Sequence, residues 1–119
     1  MEYSISLTRM RSIDSRLDLA YFDIPTDGIY TIQAIVTFAP VETHTINFYQ
    51  LVIGYMDREG ALRDMVGGAA KRSGVLTVNV EEGAFRSGER LYLAFQRTFS
   101  LFPQFYTIFS GTLTVTLLE

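Results

Sequence analysis

The chain has 119 residues, of which 48% are hydrophobic, and thirteen acidic residues outnumber ten basic ones to give a formal net charge of −3. A chain of this length can bury roughly two thirds of its unfolded surface in one core, so we expect a single domain at residues 1–119. The scattered basic residues argue against a nucleic-acid-binding surface, and the absence of cysteine excludes disulfides and cysteine-based zinc sites.

Alternation of apolar and polar residues dominates the chain, and the helical spacing of apolar residues is nowhere sustained over three turns. This pattern is typical of an all-β protein. Residues 3–8 predict the first strand, and a polar loop at 11–16 follows it. A second strand is then predicted at Leu17, Leu19 and Tyr21, whose side chains should share one face because they are two residues apart.

A turn precedes the longest predicted strand. Pro25 fixes φ, Asp27 can hydrogen-bond its own backbone and Gly28 accepts a positive φ, so the strand should start at about Ile29 and end at Pro40. One face of this strand carries Tyr30, Ile32, Ala34, Val36 and Phe38, and the other carries Ile29, Thr31, Gln33, Ile35 and Thr37. Because both faces are partly apolar, we expect the strand to be central in its sheet or covered by another subunit.

The rest of the chain predicts a further series of short strands separated by turn signals. They are expected at 48–56, at 61–64 after a hairpin tip at 57–60, at 75–80, at 90–97 after a loop at 81–88, and at 108–118. Eight or more short strands with turns at regular spacing fit a two-sheet β-sandwich or jelly roll.

Three short motifs occur along the chain in a specific order. They are Phe-Asp-Ile-Pro-Thr-Asp-Gly-Ile-Tyr-Thr-Ile at 22–32, Ser-Gly-Glu-Arg-Leu-Tyr-Leu at 87–93 and Phe-Ser-Gly-Thr-Leu at 109–113. In this order they resemble motifs of the trimeric jelly rolls shared by the complement C1q globular heads and the tumour necrosis factor (TNF) superfamily, although Ile32 and Glu89 replace the usual Phe and Asp. The resemblance spans about residues 17–119 and implies a C1q/TNF-like two-sheet jelly-roll β-sandwich.

The resemblance also implies a homotrimer in which one sheet faces the threefold axis. It places the three matched strands in that sheet, and half-apolar second faces favour a surface that other subunits cover. The residues expected at the trimer interface are Thr31, Gln33, Ile35, Tyr92, Gln96, Thr112 and Thr114. The alternative is that these side chains line a hydrated sheet of a monomer.

Side chains suited to catalysis or metal binding are sparse. His44 is the only histidine and lies in a polar loop, so neither a two-histidine metal site nor a Ser-His-Asp triad is predicted. Asp14, Asp18, Asp23 and Asp27 recur every four or five residues, but this spacing gives no calcium-loop motif, which leaves calcium binding as a minor alternative. We therefore predict no catalytic residues, no cofactor and no metal, and a cupin-like enzyme is disfavoured because cupin metal sites need several histidines.

The segment 99–109 is the richest in aromatic residues. Filling the core is the first interpretation, because large apolar side chains are usually inside. The alternative is a recognition loop near Pro103 formed by Phe102, Phe105 and Tyr106, since aromatic platforms on loops suit both sugar stacking and protein anchoring.

The leading functional hypothesis is a non-enzymatic, homotrimeric binding module. Nine of the ten basic residues are arginine, which favours a prokaryotic or viral origin. We expect a receptor-binding or adhesion protein of a phage virion, such as a tail-fibre tip, or of a bacterial surface. Its partners would be other copies of the chain and a cell-surface glycan or protein receptor. The alternative is a virion decoration or assembly protein with a purely structural role.

The expected location is a virion, the extracellular space or a cell surface. No stretch of the sequence reaches the ~20 apolar residues of a membrane span, so no membrane insertion is expected. The first residues lack the basic start and apolar run of a signal peptide.

Overall fold

The computed structural model describes residues 2–41, 47–99 and 103–118, and these residues form β-strands and no helix. The all-β prediction is therefore confirmed. Within these residues there is no helix that could cross a membrane. The strands are β1 (Glu2–Leu7), β2 (Met10–Ser12), β3 (Arg16–Asp23), β4 (Gly28–Pro40), β5 (Phe48–Met56), β6 (Leu62–Gly67), β7 (Gly74–Phe85), β8 (Arg90–Phe99) and β9 (Tyr106–Leu118).

The strands pair into two antiparallel sheets. Sheet A has the order β1-β9-β4-β7, and β2 also pairs with β9, while sheet B has the order β3-β8-β5-β6. Each sheet joins strands from distant parts of the chain, such as β4 with β9 and β3 with β8. Two such sheets packed face to face form the predicted jelly-roll β-sandwich.

Four buried aromatic rings form the centre of the core between the sheets. Phe38 and Tyr106 come from sheet A, Tyr49 and Phe95 from sheet B, and none of them is more than 1% exposed. Their ring centroids lie between 4.6 Å (Phe95 and Tyr106) and 5.3 Å (Tyr49 and Tyr106) apart, within the range of favourable aromatic contacts. These contacts hold the two sheets against each other.

The central strand of sheet A follows its predicted pattern. In β4 every predicted inward residue is buried, and the strand lies between β9 and β7. The buried ring of Tyr30 keeps its hydroxyl satisfied because the hydroxyl donates a hydrogen bond to the carbonyl oxygen of Thr26 at 2.7 Å. The expectation of a central strand with one face in the core is confirmed.

The turn before β4 forms for a different reason from the one predicted. Gly28 does not have a positive φ. A Cβ atom at Gly28 would instead lie 2.7 Å from Cδ1 of Leu117, so the glycine permits close packing of β4 against β9. Oδ1 of Asp27 accepts a hydrogen bond from the backbone N–H of Ser87 at 2.7 Å and so ties the turn to the loop between β7 and β8.

Strand β2 overlaps the predicted polar loop at 11–16, and β6 continues beyond its predicted end at residue 64. Strands β3 and β7 differ from the predicted pattern because each contains an irregularity in pairing. The register of β3 shifts between Asp18 and Ala20, so Tyr21 faces outward and is 47% exposed instead of sharing a face with Leu17. Strand β7 continues to Phe85, beyond the predicted end at residue 80, because it pairs with β4 on both sides of a similar shift.

The glycine in the motif at 109–113 occupies a tightly packed position, which gives a test of the fold. A Cβ atom at Gly111 would lie 2.8 Å from the carbonyl oxygen of Ile35 and 2.9 Å from Cγ2 of Val36. Replacing Gly111→Ala should therefore lower the free energy of unfolding by about 1–3 kcal/mol, measured by chemical denaturation. The adjacent exposed substitution Ser110→Ala is the control and should change it by less than about 0.5 kcal/mol. Equal effects of the two substitutions would contradict this packing.

Candidate functional site

Rows of uncharged polar side chains cross the outer face of sheet A, where pairing aligns residues from all four main strands. One row is Ser4, Thr114, Gln33 and Asn79, and the next is Ser6, Thr112, Ile35 and Thr77. Neither row contains a charged residue. Ile35 supplies an apolar side chain that is 38% exposed in the middle of this face.

A shallow depression of about 360 Å³ overlaps the first of these rows. It includes Thr31 and Gln33 of β4 and Thr114 of β9, while Glu2 and Glu81 contribute the charged groups of its lining. The structure therefore brings together five of the residues expected at a trimer interface, which are Thr31, Gln33, Ile35, Thr112 and Thr114.

The other two expected interface residues lie elsewhere. Tyr92 and Gln96 belong to β8, which pairs with β3 and β5 in sheet B. Their assignment to the same surface as Thr31 is wrong, because the two sheets present their outer faces to opposite sides of the sandwich. Alternation along a strand indicates which residues share a face, but it does not indicate which sheet the strand joins.

The two described residues of the predicted recognition loop, Phe105 and Tyr106, have different environments. Tyr106 is fully buried in the aromatic core, and its hydroxyl donates to the backbone oxygen of Asp14 at 3.0 Å. Phe105 is 45% exposed, with the guanidinium carbon of Arg11 4.7 Å from its ring centroid. Phe102 and the histidine at position 44 lie outside the described residues. The core-filling interpretation is thus correct for Tyr106, and Phe105 is available on the surface.

A network on the outer face of sheet B joins residues that lie far apart in the sequence. Nη2 of Arg16 donates to Oδ1 of Asp64 at 2.8 Å, and Nη1 donates to Oδ2 of Asp64 and to Oε1 of Gln96, each at 3.1 Å. The hydroxyl of Tyr92 donates to the same Asp64 carboxylate. Strands β3 and β6 are opposite edges of sheet B, so this network crosses the whole sheet.

The path of the network depends on a glycine in β5. Gly54 is the pairing partner of Tyr92, and a Cβ atom at Gly54 would overlap the ring and hydroxyl of Tyr92. Because that side chain is absent, Tyr92 can lie over β5 and reach Asp64 in β6. Tyr92 is consequently only 3% exposed although it is on the outer face of the sheet.

The network also fixes the ionisation of its members. Hydrogen bonds from Arg16 first, and from Tyr92 second, lower the pKa of Asp64 to about 2. Burial first, and the hydrogen bond to Asp64 second, raise the pKa of Tyr92 to about 12. The hydrogen bond to Asp64 likewise raises the pKa of Arg16. At neutral pH the network therefore contains a carboxylate, a guanidinium and a neutral phenol in fixed positions.

A groove of about 530 Å³ lies beside this network. Its lining consists of Arg16, Leu17, Asp18, Leu62, Asp64 and Tyr92. On the β3 side, Oδ2 of Asp18 accepts a hydrogen bond from the hydroxyl of Tyr21 at 2.6 Å, which holds an exposed aromatic ring next to the groove. We call this the sheet B groove.

The aspartates that recur at 14–27 do not converge on one point. Asp18 accepts from Tyr21, Asp23 accepts from Arg90 at 2.6 Å, and Asp27 accepts from Ser87. In the described parts of the chain no group of three or more His, Cys, Asp or Glu side chains could hold a metal ion. The spacing of these residues in the sequence therefore corresponds to separate structural contacts.

Comparisons with known proteins identify the fold. No protein-family model matches the sequence, and no curated protein matches it significantly. Among solved structures, Eiger TNF from S. frugiperda matches with a TM-score of 0.68 at 10% identity, over 99% of this chain and 93% of that chain.

A viral protein and a complement protein are also similar in structure. VP2 of a subviral particle of infectious bursal disease virus matches with a TM-score of 0.65 at 13% identity, over 98% of this chain but only 32% of that chain. The globular domain of zebrafish complement 1qA matches with a TM-score of 0.51 at 10% identity, over 83% of this chain and 69% of that chain. The chain therefore has the TNF/C1q-like jelly-roll fold that its motifs predicted.

The ionised network on sheet B predicts how stability depends on pH. Because the folded-state pKa of Asp64, about 2, lies below its ordinary value of 3.8, its contribution to stability is present above the ordinary value and is lost as the pH falls through the folded one. Between about pH 5 and pH 2, the variant Asp64→Asn should therefore lose less free energy of unfolding than the wild type, measured by denaturant titration.

A matched control separates this effect from general acid unfolding. Glu82→Gln removes an exposed carboxylate on the other sheet and should leave the pH dependence of the wild type unchanged. Identical acid profiles for Asp64→Asn and the wild type would show that the network does not form in solution.

Tyr92 predicts a second pH dependence at the alkaline end. Because the pKa of Tyr92 is raised from its ordinary value of 10.0 to about 12, its contribution to stability is present below 10.0 and is lost as the pH rises through about 12.

Proposed function

We propose that this protein is a non-enzymatic, homotrimeric binding or structural module of a phage virion or bacterial surface, which recognises a receptor or a glycan. The observation that carries the proposal is the pair of uncharged rows that cross the outer face of sheet A, which are Ser4, Thr114, Gln33 and Asn79, and Ser6, Thr112, Ile35 and Thr77. Depletion of charged residues is what distinguishes the centre of a protein interface from the remaining surface.

The composition of this face suits association with identical copies. Serine, threonine, glutamine and asparagine side chains both donate and accept hydrogen bonds, so identical surfaces can hydrogen-bond to each other. Because these side chains are uncharged, they also meet without like-charge repulsion. Apolar side chains more than a third exposed accompany them at Ile29, Ile35 and Val75. The described ion pairs, in contrast, all involve sheet B or the hairpin between β5 and β6.

The fold supports the same proposal. TNF and C1q folds are typically trimeric, and the similar structures include cytokine, complement and capsid proteins. Three copies on one rigid assembly would raise the effective concentration of weak sites without any new contact. The proteins of similar fold are extracellular or associated with virions, which supports a location on a virion, outside the cell or on a cell surface.

A second candidate function is a purely structural role in virion decoration or assembly. The similarity to VP2 favours it, because VP2 was solved as part of a subviral particle. Both candidates require self-association. They differ in whether the isolated trimer binds a receptor or glycan.

A trimer should have a defined mass in solution and should dissociate when a charge is placed in its interface. Light scattering of the wild type should give a mass near three times 13.5 kDa. Ile35→Lys should give a mass near 13.5 kDa, because it would place three unpaired ammonium groups inside the interface.

The control for this experiment is Met65→Lys on sheet B. Met65 is 41% exposed, close to the 38% of Ile35, so the two substitutions add the same charge to equally exposed apolar positions. Met65→Lys should keep the wild-type mass. A monomeric wild type, or an Ile35→Lys protein with an unchanged mass, would contradict the proposed interface.

A further inference from the structure

We infer that the sheet B groove binds a neutral saccharide. This inference rests on the proposed function, since it names the ligand class and the location of a recognition site. The groove is nevertheless formed within one chain, so its binding can be tested separately from the trimer. It also lies on the sheet opposite to the proposed subunit interface, which leaves it accessible in an assembly.

The groove has the size and construction of a small-ligand site. Its volume of about 530 Å³ falls within the range of roughly 300–1,000 Å³ that is usual for ligand pockets. Leu17 and Asp18 contribute from β3, Leu62 and Asp64 contribute from β6, and Tyr92 lies between these edges. Arg16 and Asp64 join the two sides through their hydrogen bonds.

The polar groups of the groove are fixed before a ligand arrives. Arg16, Asp64 and Tyr92 hold one another in position, so binding would cost little side-chain ordering. Acceptor capacity remains on Asp18, since only its Oδ2 accepts a hydrogen bond from a described residue. Gln96 accepts from the lining residue Arg16 through its side-chain oxygen, so its amide nitrogen adds a donor group next to Arg16.

This combination suits hydroxyl groups better than anionic groups. A sugar hydroxyl donates one hydrogen bond and accepts others, so it can use a carboxylate and an amide donor together. Among the described lining residues, Arg16 is positive and Asp18 and Asp64 are negative, which gives this lining a net charge of −1. An anionic ligand would be repelled, and the positive charge of Arg16 is already neutralised by Asp64.

Apolar surface beside the groove would contact the carbon-bound hydrogens of a sugar ring. Leu62 is 62% exposed and Tyr21 is 47% exposed. The guanidinium carbon of Arg90 lies 5.7 Å from the ring centroid of Tyr21, and the Tyr21 hydroxyl is held by Asp18, so the aromatic ring is fixed in orientation. Aromatic side chains with one polar end and one apolar body are well suited to such mixed contacts.

The test uses the complete wild-type chain on an array of neutral hexose, pentose and N-acetylhexosamine oligosaccharides, with sialylated and sulfated glycans for comparison. The strongest binder is then titrated by calorimetry against Asp18→Asn, which removes the free acceptor charge and keeps the side-chain size. Because a hydrogen bond to a charged acceptor is stronger than one to a neutral acceptor, Asp18→Asn should raise Kd about tenfold or more.

Glu82→Gln is the matched control, since it changes an exposed carboxylate on sheet A, away from the groove, and should alter Kd less than about twofold. Leu62→Ser, which removes the apolar side chain on the β6 side, provides a second test if Asp18→Asn does not fold. Binding only to charged glycans, no binding to any neutral glycan, or equal Kd values for wild type and both groove variants would overturn the inference.

The mass of each sample separates this inference from the proposed function. A trimer that binds no neutral glycan would overturn the groove assignment and favour the structural role. A monomer that binds a neutral glycan through Asp18 would overturn the trimer and retain the groove.

Discussion

The packing of four aromatic rings between the sheets is the contact on which both candidate surfaces depend. Phe38, Tyr49, Phe95 and Tyr106 occupy the interior from both sheets, so each sheet commits one face to the core and keeps the other for contacts outside. Along β4, β8 and β9, successive side chains therefore point alternately into the core and away from it. The outer side chains are thereby free to differ in chemistry without affecting the core.

The outer faces of the two sheets differ in their charged groups. The rows on sheet A are uncharged, whereas sheet B carries the ion pairs of Arg16 with Asp64 and of Arg90 with Asp23. A surface that meets copies of itself gains from the absence of like charges, and a surface that selects a ligand gains from fixed polar groups. The asymmetry of the sandwich is therefore an argument for self-association through sheet A and recognition through sheet B.

The sequence predicted features that depend on local alternation and missed those that depend on pairing. The faces of β4 and the bounds of β5 follow from neighbouring residues and were correct. The register shift in β3 exposes Tyr21, and no local pattern indicates it. Pairing of β8 within sheet B separates Tyr92 from β4, and Arg16 meets Asp64 from 48 positions away. These contacts are properties of the folded topology, so periodicity along the chain could not reveal them.

The glycine under Tyr92 bears on whether the network serves stability or binding. Glycine weakens the interior of a strand, yet Gly54 lies within β5, between β8 and β6. The Arg16 and Asp64 side chains are 37% and 49% exposed, and ion pairs of this exposure contribute only about 0–1 kcal/mol. Such a gain barely offsets the roughly 0.5–1 kcal/mol that a strand glycine costs. The exposed ion pair by itself therefore adds little, and the network is better explained by what it positions, which is part of the lining of the sheet B groove.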